Sequence, residues 1–570
     1  MTATILTAGS IITMDESVPR AEAVAFDGDT IIAVGSLAQC RAAAPDAPIV
    51  DSGAAVLMPG FIDPHSHPLF SGVSTQSPAV AIAPWVAPTW DAVVTIFTEV
   101  AAAAEAGKPL VFTGFDALLH RHQAPTAAEL DEIFGDRVVV VADNSGHATY
   151  FTTALIRRNQ WDVAVPSDPV GGRFGRTSSG ALNGIAYEVP ANTLVLGPVL
   201  TELGGSMLGS AAEYFALMAR GGITSTSDMT YSAELTAGYE ALAALPSNPL
   251  RVSMWQVSTA PGYLDQVSFA AGDKLLVKQG VKLWTDGSPW IGNVALSFPY
   301  LDSEATRLAG IDPARAGGAD SMNYGRAQVD AILDQCAPLG WQMSFHSNGD
   351  VAVDFALDAY EDALTRHGLV GTDHRWRLEH VGAARPDQFE RAAKLGVMVS
   401  MAPFQYYFWG DLLDGEMFDH QHGARWQAVG DAVAAGACVS LHNDGSVSPP
   451  TPLLNVQTAV TRQTVSGAVH APEQCISVDE ALKAHTINAA YTLHRDQVVG
   501  SLTPGKLADF VELSADPYQV DPSRLAELVT VLGTWLGGRR VDLDEFLVAA
   551  GAEDSDVHQH LLQHRHPGCC

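Results

Sequence analysis

The segment Pro59-Gly60-Phe61-Ile62-Asp63-Pro64-His65-Ser66-His67 sets two imidazoles two residues apart, just past an apolar run. In an extended strand, residues i and i+2 face the same side. His65 and His67 are therefore expected to aim ring nitrogens at one point, as a metal ion requires. Four later segments also carry an apolar run to a ligand-capable residue: Val281-Lys282-Leu283-Trp284, Met343-Ser344-Phe345-His346, Leu378-Glu379-His380-Val381 and Val439-Ser440-Leu441-His442-Asn443-Asp444. Together His65, His67, Lys282, His346, His380 and Asp444 form a nitrogen and oxygen set that zinc and similar divalent ions accept.

The lysine needs its own reason. A protonated ammonium is a poor neighbour for a dication, and its burial is costly unless it is neutralised. The neutral amine can react with carbon dioxide to give a carbamate, an anionic and bidentate group able to bridge two metals. A buried lysine paired with Asp286 is the alternative.

Residues so far apart in the chain need a scaffold that gathers strand ends. Between residues 57 and 498, strand-like runs alternate with helical patterns, which predicts an α/β fold built on a (β/α)8 TIM-like barrel. In such barrels the reactive groups sit where strands end and βα loops begin. Asp350 to Tyr360 repeats apolar residues at helical spacing, with Asp350 as N-cap. Ser477-Val478-Asp479-Glu480 has capping-box spacing before a helix expected from Ala481 to His494. Residues 145–220 are rich in Gly, Ser and Thr in places and are expected to insert over the barrel mouth.

The two ends of the chain share a style of short strands and turns. Asp27-Gly28 marks a hairpin between Ala21–Phe26 and Thr30–Val34, and Ala508–Leu513 and Val529–Trp535 read as strands near the other end. Residues 1–56 and 499–543 are thus expected to form one composite β-sandwich domain. The tail 544–570 is polar and holds His558, His560, His564, His566, Cys569 and Cys570. It is expected to be a frayed, disordered terminus, metal capture being the other reading.

Composition excludes several classes. A net charge of -32, with Lys and Arg totalling only 32, argues against a nucleic-acid partner. Hydrophobic content of 47% implies a large core, yet no apolar stretch reaches the length of a membrane span and the start lacks signal-peptide features. A soluble, cytoplasmic protein without membrane partners is expected. The six cysteines show no paired framework, which fits a reducing compartment. No Gly-x-Ser-x-Gly element or glycine-rich phosphate loop is present.

With these motifs in order, the chain resembles the amidohydrolase superfamily, and within it amidohydrolase family 3, the YtcJ-like branch that includes N-substituted formamide deformylases. The resemblance rests on the His65/His67 segment, Val281–Ser288, His346-Ser347-Asn348-Gly349-Asp350, Arg377–His380, Leu441–Asp444 and Gly500–Asp509. It implies a carboxylated Lys282 bridging two metals, one on His65, His67 and Asp444 and the other on His346 and His380. Family members differ in whether one or both positions are filled. Ser145-Gly146-His147 resembles the family's segment after the third strand, and Gly184–Glu188 its Gly-x-x-x-Glu element, so His147 and Glu188 are candidate substrate contacts. Asp444 is followed by Gly445-Ser446, where many relatives carry a small residue and proline.

The expected activity is metal-dependent hydrolysis of a C–N bond (amide, N-formyl or related) in a small organic substrate. A zinc-bound hydroxide would attack, with Asp444 as proton shuttle. Ester or lactone hydrolysis, or deamination, at the same site is the alternative. Aromatic density near the mouth adds Trp284, Tyr407 and Trp409 as candidate substrate contacts and favours an apolar or aromatic substrate; packing is the competing explanation. His442, His420, His422 and His485 read as structural or surface residues. The architecture is compatible with a homodimer.

Overall fold

The computed structural model describes residues 3–169, 172–204, 206–318 and 321–552. Its centre is a nearly closed barrel of eight parallel strands, in chain order Phe61–Asp63, Ile223–Tyr231, Arg251–Val257, Leu276–Trp284, Gln342–Ser347, Arg377–His380, Met398–Met401 and Val439–Leu441. Each pairs in parallel with the next, and the first also with the second. Between the last strand and the first, side-chain and loop bonds replace the ladder. The Asn443 N–H donates to Oδ1 of Asp63 at 3.1 Å, and the Asp444 N–H to the His65 carbonyl at 3.1 Å. Closure of the barrel therefore brings the His65 and Asp444 segments together.

The strands alternate with period two, but both faces are buried. Val281, Leu283, Met343, Phe345, Leu378, Val399, Met401, Val439 and Leu441 join the core shared with the surrounding helices. Between them lie Lys282, Ser344, His346, Arg377, Glu379, Ser400 and Ser440, all buried and polar. These line the barrel interior, as alternation in a closed sheet requires. Burying polar groups is costly unless they are paired, and several of these are: Ser344 and Arg377 bond to Glu379, and Ser400 to His442.

Helices Asp350–Arg366, Pro386–Leu395, Pro403–Leu413 and Pro452–Thr461 follow the last four strands. Proline opens three of them at a position whose N–H has no partner within the helix. Gly349, rather than Asp350, is the N-cap of the first of these; Asp350 instead accepts from the N–H and hydroxyl of Ser297 and from Arg385. The Ser477 capping box forms with Glu480. The helix expected through His494 is broken into Val478–Ala484 and Ile487–Thr492. At the break, the His485 carbonyl accepts the N–H of Ile62, in the first barrel strand.

Strands from both ends of the chain form one sheet, ordered Arg539–Arg540, Val531–Leu536, Phe510–Leu513, Val56–Pro59, Thr4–Ile12, Arg20–Asp27, Thr30–Gly35, with Ile49–Asp51 also beside Thr4–Ile12. The Asp27/Thr30 pairing closes the expected hairpin. Three strands separate Arg20–Asp27 from Val531–Leu536, about 19 Å in a flat sheet, yet the rings of Phe26 and Trp535 lie 6.5 Å apart. The sheet is rolled over a core of Leu6, Ile11, Val24, Leu57, Phe510 and Trp535. The strand Thr4–Ile12 carries an irregularity between Thr7 and Ile11.

A third, six-stranded sheet lies outside the barrel: Val80–Ala81, Leu110–Phe115, Val139–Asp143, Ala148–Phe151, Leu182–Tyr187 and Arg173–Arg176. It starts well before residue 145, and its first three strands pair in parallel, as barrel strands do. At the other end, Met207–Arg220 packs against Pro68–Thr75 and leads into the second barrel strand. Leu543–Ala550 is a helix against Met207–Arg220; the tail histidines and Cys569 and Cys570 lie outside the described residues. Among the described residues, no single helix is long and apolar enough to cross a membrane.

Candidate metal centre

His65 and His67 converge by a different route from the one strand geometry suggests. The first strand ends at Asp63, so both histidines lie in the loop beyond it, and His67 precedes the helix Pro68–Thr75. The ring planes are 83° apart rather than aligned. Backbone pairing to the last βα loop sets them: the His65 carbonyl accepts from Asp444, and the His67 N–H donates to Gly445 at 3.2 Å.

Oδ1 of Asp444 lies 3.5 Å from Nε2 of His65 and 3.3 Å from Nε2 of His67. Two ligands on one tetrahedral zinc, with bonds of about 2.0–2.1 Å, stand about 3.3 Å apart. The three side chains thus match a shared ion in spacing and in donor chemistry. Nδ1 of each histidine has its own partner: Oε2 of Glu379 at 2.7 Å for His65, and Oγ1 of Thr230 at 3.1 Å for His67. Such outer contacts fix tautomer and ring orientation.

A second group of ligand atoms within 4.8 Å of one another comes from His65, His380 and His442, all buried. Nε2 of His442 is 3.2 Å from Nδ1 of His380, and its Nδ1 is 2.8 Å from the Ser400 hydroxyl. His442 is therefore a buried member of this cluster rather than a surface residue. His346 stands beside His380, ring centroids 4.5 Å apart. Its Nε2, however, faces the Gly287 carbonyl at 3.0 Å and Nδ2 of Asn348 at 3.2 Å.

Burial disfavours the charged imidazole at each of these positions. It pushes His346 and His442 down to about 3, and His65 and His380 well below the ordinary histidine value. Neutral rings with free lone pairs are what a cation needs. Burial also lowers Lys282 to about 8, against the raising influence of Glu379 and Asp444, and its Nζ lies 3.4 Å from Nε2 of His65. The amine therefore has an accessible neutral form. Asp286 is turned away from it, accepting the N–H groups of Asn348, Gly349 and Ala295. Burial works to raise Asp444, but His67 and then His442 and Lys282 hold it below the usual carboxylate value.

Glu379 was passed over in the sequence, although the strand alternation Arg377-Leu378-Glu379 marks it as inward-facing. It accepts from Ser344 at 2.7 Å and pairs with Arg377, which also donates to the Pro64 carbonyl at 2.9 Å. Some backbone strain lies nearby. His380 (φ 70°), Val381 (φ 45°), Asp444 (φ 50°) and Glu188 (φ 67°) are left-handed non-glycine residues, a conformation that clusters at functional sites.

The outer sheet contributes His147 and Glu188. Nδ1 of His147 is 2.8 Å from Oε2 of Glu188, whose Oε1 accepts from Asn293 at 3.1 Å. Burial would lower His147, but Glu188, with Asp143 and Asp444, raises it above the ordinary value. Trp409 is buried, stacked on Trp290 at 4.3 Å, and donates to Asp116 at 3.1 Å; Tyr407 is buried too, and the Trp284 ring lies 5.4 Å from Nζ of Lys282. A cavity of about 200 Å³ lies beside the centre, between the outer sheet and the barrel, with Phe70, Trp85, Leu196, Asn144, Gly146 and Ser446 among its walls. It adjoins the histidine cluster without being lined by it. Tyr214, also on its wall, packs its hydroxyl on Gly445, where a Cβ would lie 1.6 Å from that oxygen.

Comparison with known proteins gives a consistent result. Residues 49–542 match the profile of the Amidohydrolase family, and residues 23–47 that of a bacterial imidazolonepropionase-like composite domain. The N-substituted formamide deformylase of Arthrobacter pascens is 27% identical over 544 residues, covering 93% of this chain and 96% of that one. Protein LONG AFTER FAR-RED 3 of Arabidopsis thaliana is 26% identical over 560 residues, covering 94% and 91%. An uncharacterized metal-dependent hydrolase from Pyrococcus horikoshii OT3 shares the fold, with a TM-score of 0.69 and 22% identity over 92% of this chain and 100% of that one.

Proposed function

This chain belongs to the amidohydrolase family, and from that premise we propose that it hydrolyses a carbon–nitrogen bond, in an amide, N-formyl or related group of a small organic molecule, with a divalent metal held by His65, His67 and Asp444. The observation that carries the reading is the convergence of these three ligand atoms, with Oδ1 of Asp444 3.5 Å from Nε2 of His65 and 3.3 Å from Nε2 of His67. The name of the Arthrobacter relative, a deformylase of N-substituted formamides, points to the same bond class. Zinc suits the donor set, and carbon dioxide captured by the neutral Lys282 amine would add a second anionic ligand.

A bound divalent cation supplies a water acidic enough to serve as nucleophile near neutral pH, and a positive charge that polarises a carbonyl. The chain's residues do the rest. Asp444 stays ionised and so accepts a proton; from its place at the strand end it delivers that proton to the departing nitrogen, giving amine and carboxylate. His147, its pKa raised by Glu188, donates a hydrogen bond to the substrate from the outer sheet. Phe70, Trp85 and Leu196 offer an apolar wall for the substituent on the substrate nitrogen.

The test is a panel of N-substituted formamides, amides, esters, lactones and aminated rings, assayed for amine, acid and ammonia. Amine with its acid is expected, and Asp444→Asn should lower turnover by about 10²–10⁴-fold, the usual worth of a positioned proton carrier. Ammonia from rings alone would assign a deaminase instead, and unchanged turnover in Asp444→Asn would remove the shuttle.

A further inference from the structure

We propose that the cavity between the outer sheet and the barrel admits one uncharged ring and turns away ionised groups. The chain then acts on amides whose nitrogen carries a neutral monocyclic substituent, and not on N-acylated amino acids. The inference rests on the hydrolase reading above and narrows its substrate class.

Three observations carry it. First, the cavity continues directly from the segments that build the centre. His67 leads straight into the helix Pro68–Thr75, which gives Phe70 and Ser74 to the walls. Asp444 lies two residues before the wall residue Ser446, and His147 stands between the wall residues Gly146 and Ala148. A group bonded to a carbonyl at the centre therefore has this recess beside it.

Second, nothing on the walls can pair an ionised group. Among the described residues they include no Lys, Arg or His. The one acid, Asp143, already accepts from the Ser145 N–H at 2.9 Å, the Ser145 hydroxyl at 2.6 Å and the Tyr150 hydroxyl at 2.9 Å. A carboxylate on the substrate would lose its water and gain no partner, which is strongly disfavoured. An ammonium would find only a carboxyl whose bonds are already taken. Phe70, Trp85, Leu196 and Leu217 offer apolar surface instead.

Third, the size suits a single ring. An apolar cavity of about 150 Å³ takes up benzene, and this one measures about 200 Å³. Gly197 keeps part of that space open. It lies within the helix Glu188–Leu203, where glycine is a poor helix former. A Cβ there would meet no atom nearer than Cγ2 of Thr193, at 4.0 Å.

The experiment uses the full zinc-loaded chain. Benzyl alcohols carrying a 4-methyl, 4-carboxylate or 4-aminomethyl group cannot be hydrolysed, and calorimetry reads their binding. The 4-methyl compound should bind at least about tenfold more tightly than either ion. Gly197→Leu, which fills the recess, should weaken it at least about tenfold. Phe70 is 53% exposed, so the fold can accept Phe70→Arg, which should tighten binding of the 4-carboxylate at least about tenfold. The matching N-benzylformamides are then compared by kcat/KM with N-methylformamide, which has no ring. The 4-methyl substrate should exceed the 4-carboxylate at least about a hundredfold, and its ratio to N-methylformamide should fall at least about tenfold in Gly197→Leu.

Equal or tighter binding of an ionised alcohol would overturn the proposal. So would no binding of the 4-methyl alcohol to the native chain, or its unchanged binding in Gly197→Leu. If Gly197→Leu does not fold, the native comparison and Phe70→Arg decide. Selective binding with no formamide cleaved would count against the hydrolase reading alone, and cleavage without charge selection against the cavity alone.

Discussion

Oε2 of Glu379 lies 2.7 Å from Nδ1 of His65, with both side chains buried inside the barrel. The contact spends Nδ1 on the carboxylate and turns Nε2 toward Lys282 and Asp444. Burial works to raise the Glu379 carboxyl, and the charges of Arg377 and Lys282 overcome it, holding it at about 2. A permanent anion thus stands behind the first histidine.

Glu379→Gln keeps the shape and removes that charge. Metal affinity should fall about 10–100-fold, as for other carboxylates behind metal-bound histidines, measured by competition with a chromophoric chelator. Glu379→Ala should also cost about 3–5 kcal/mol of stability, because Arg377 is left charged and unpaired in the interior. An unchanged affinity in the Gln variant would remove Glu379 from the centre.

Glu188 is the chief group that raises the His147 imidazole pKa against burial. In Glu188→Gln the His147 pKa should drop, so the alkaline limb of the kcat/KM profile should move to lower pH while metal content stays constant. A pH profile that does not move would limit the pair to tying the outer sheet to the Asn293 loop.

A stability prediction comes from the outer sheet. His120 donates from Nε2 to the Ala87 carbonyl at 2.9 Å and accepts the Asp116 N–H on Nδ1 at 3.0 Å. Burial holds its pKa at about 4, below the 6.5 of an unfolded chain. The unfolded state therefore binds the proton first as pH falls. The stabilisation is complete above about pH 6.5 and is lost progressively toward pH 4, up to about 3 kcal/mol in all. Between pH 7 and 5, His120→Asn should lose about 2 kcal/mol less than the native protein, read from denaturant unfolding; equal losses would show that His120 titrates normally in the fold.

His65, His67, Lys282, His380 and Asp444 stood out in the sequence because each lies at or just past an apolar run, and the barrel gathers such segments whatever lies between them. What escaped detection depends on pairing. Glu379 and His442 sit in the same runs, but their contacts with Arg377, Ser400 and His380 form within and across barrel strands, which a linear pattern does not reveal. His65 and His67 converge through backbone bonds to Asp444 and Gly445 rather than through strand alternation. The strands Leu110–Phe115 and Val139–Asp143 look like barrel strands because parallel βα units share one signature wherever they assemble. Trp409 was conspicuous as an aromatic residue, yet its ring is spent on Trp290.

The most direct test of the metal-dependent account is amine release from an N-substituted formamide before chelation, after complete metal removal, and after zinc is restored. Activity that disappears with the metal and returns in proportion to the zinc rebound, in the native chain but not in His67→Ala, is the predicted result. Turnover that persists in the metal-free chain would contradict it.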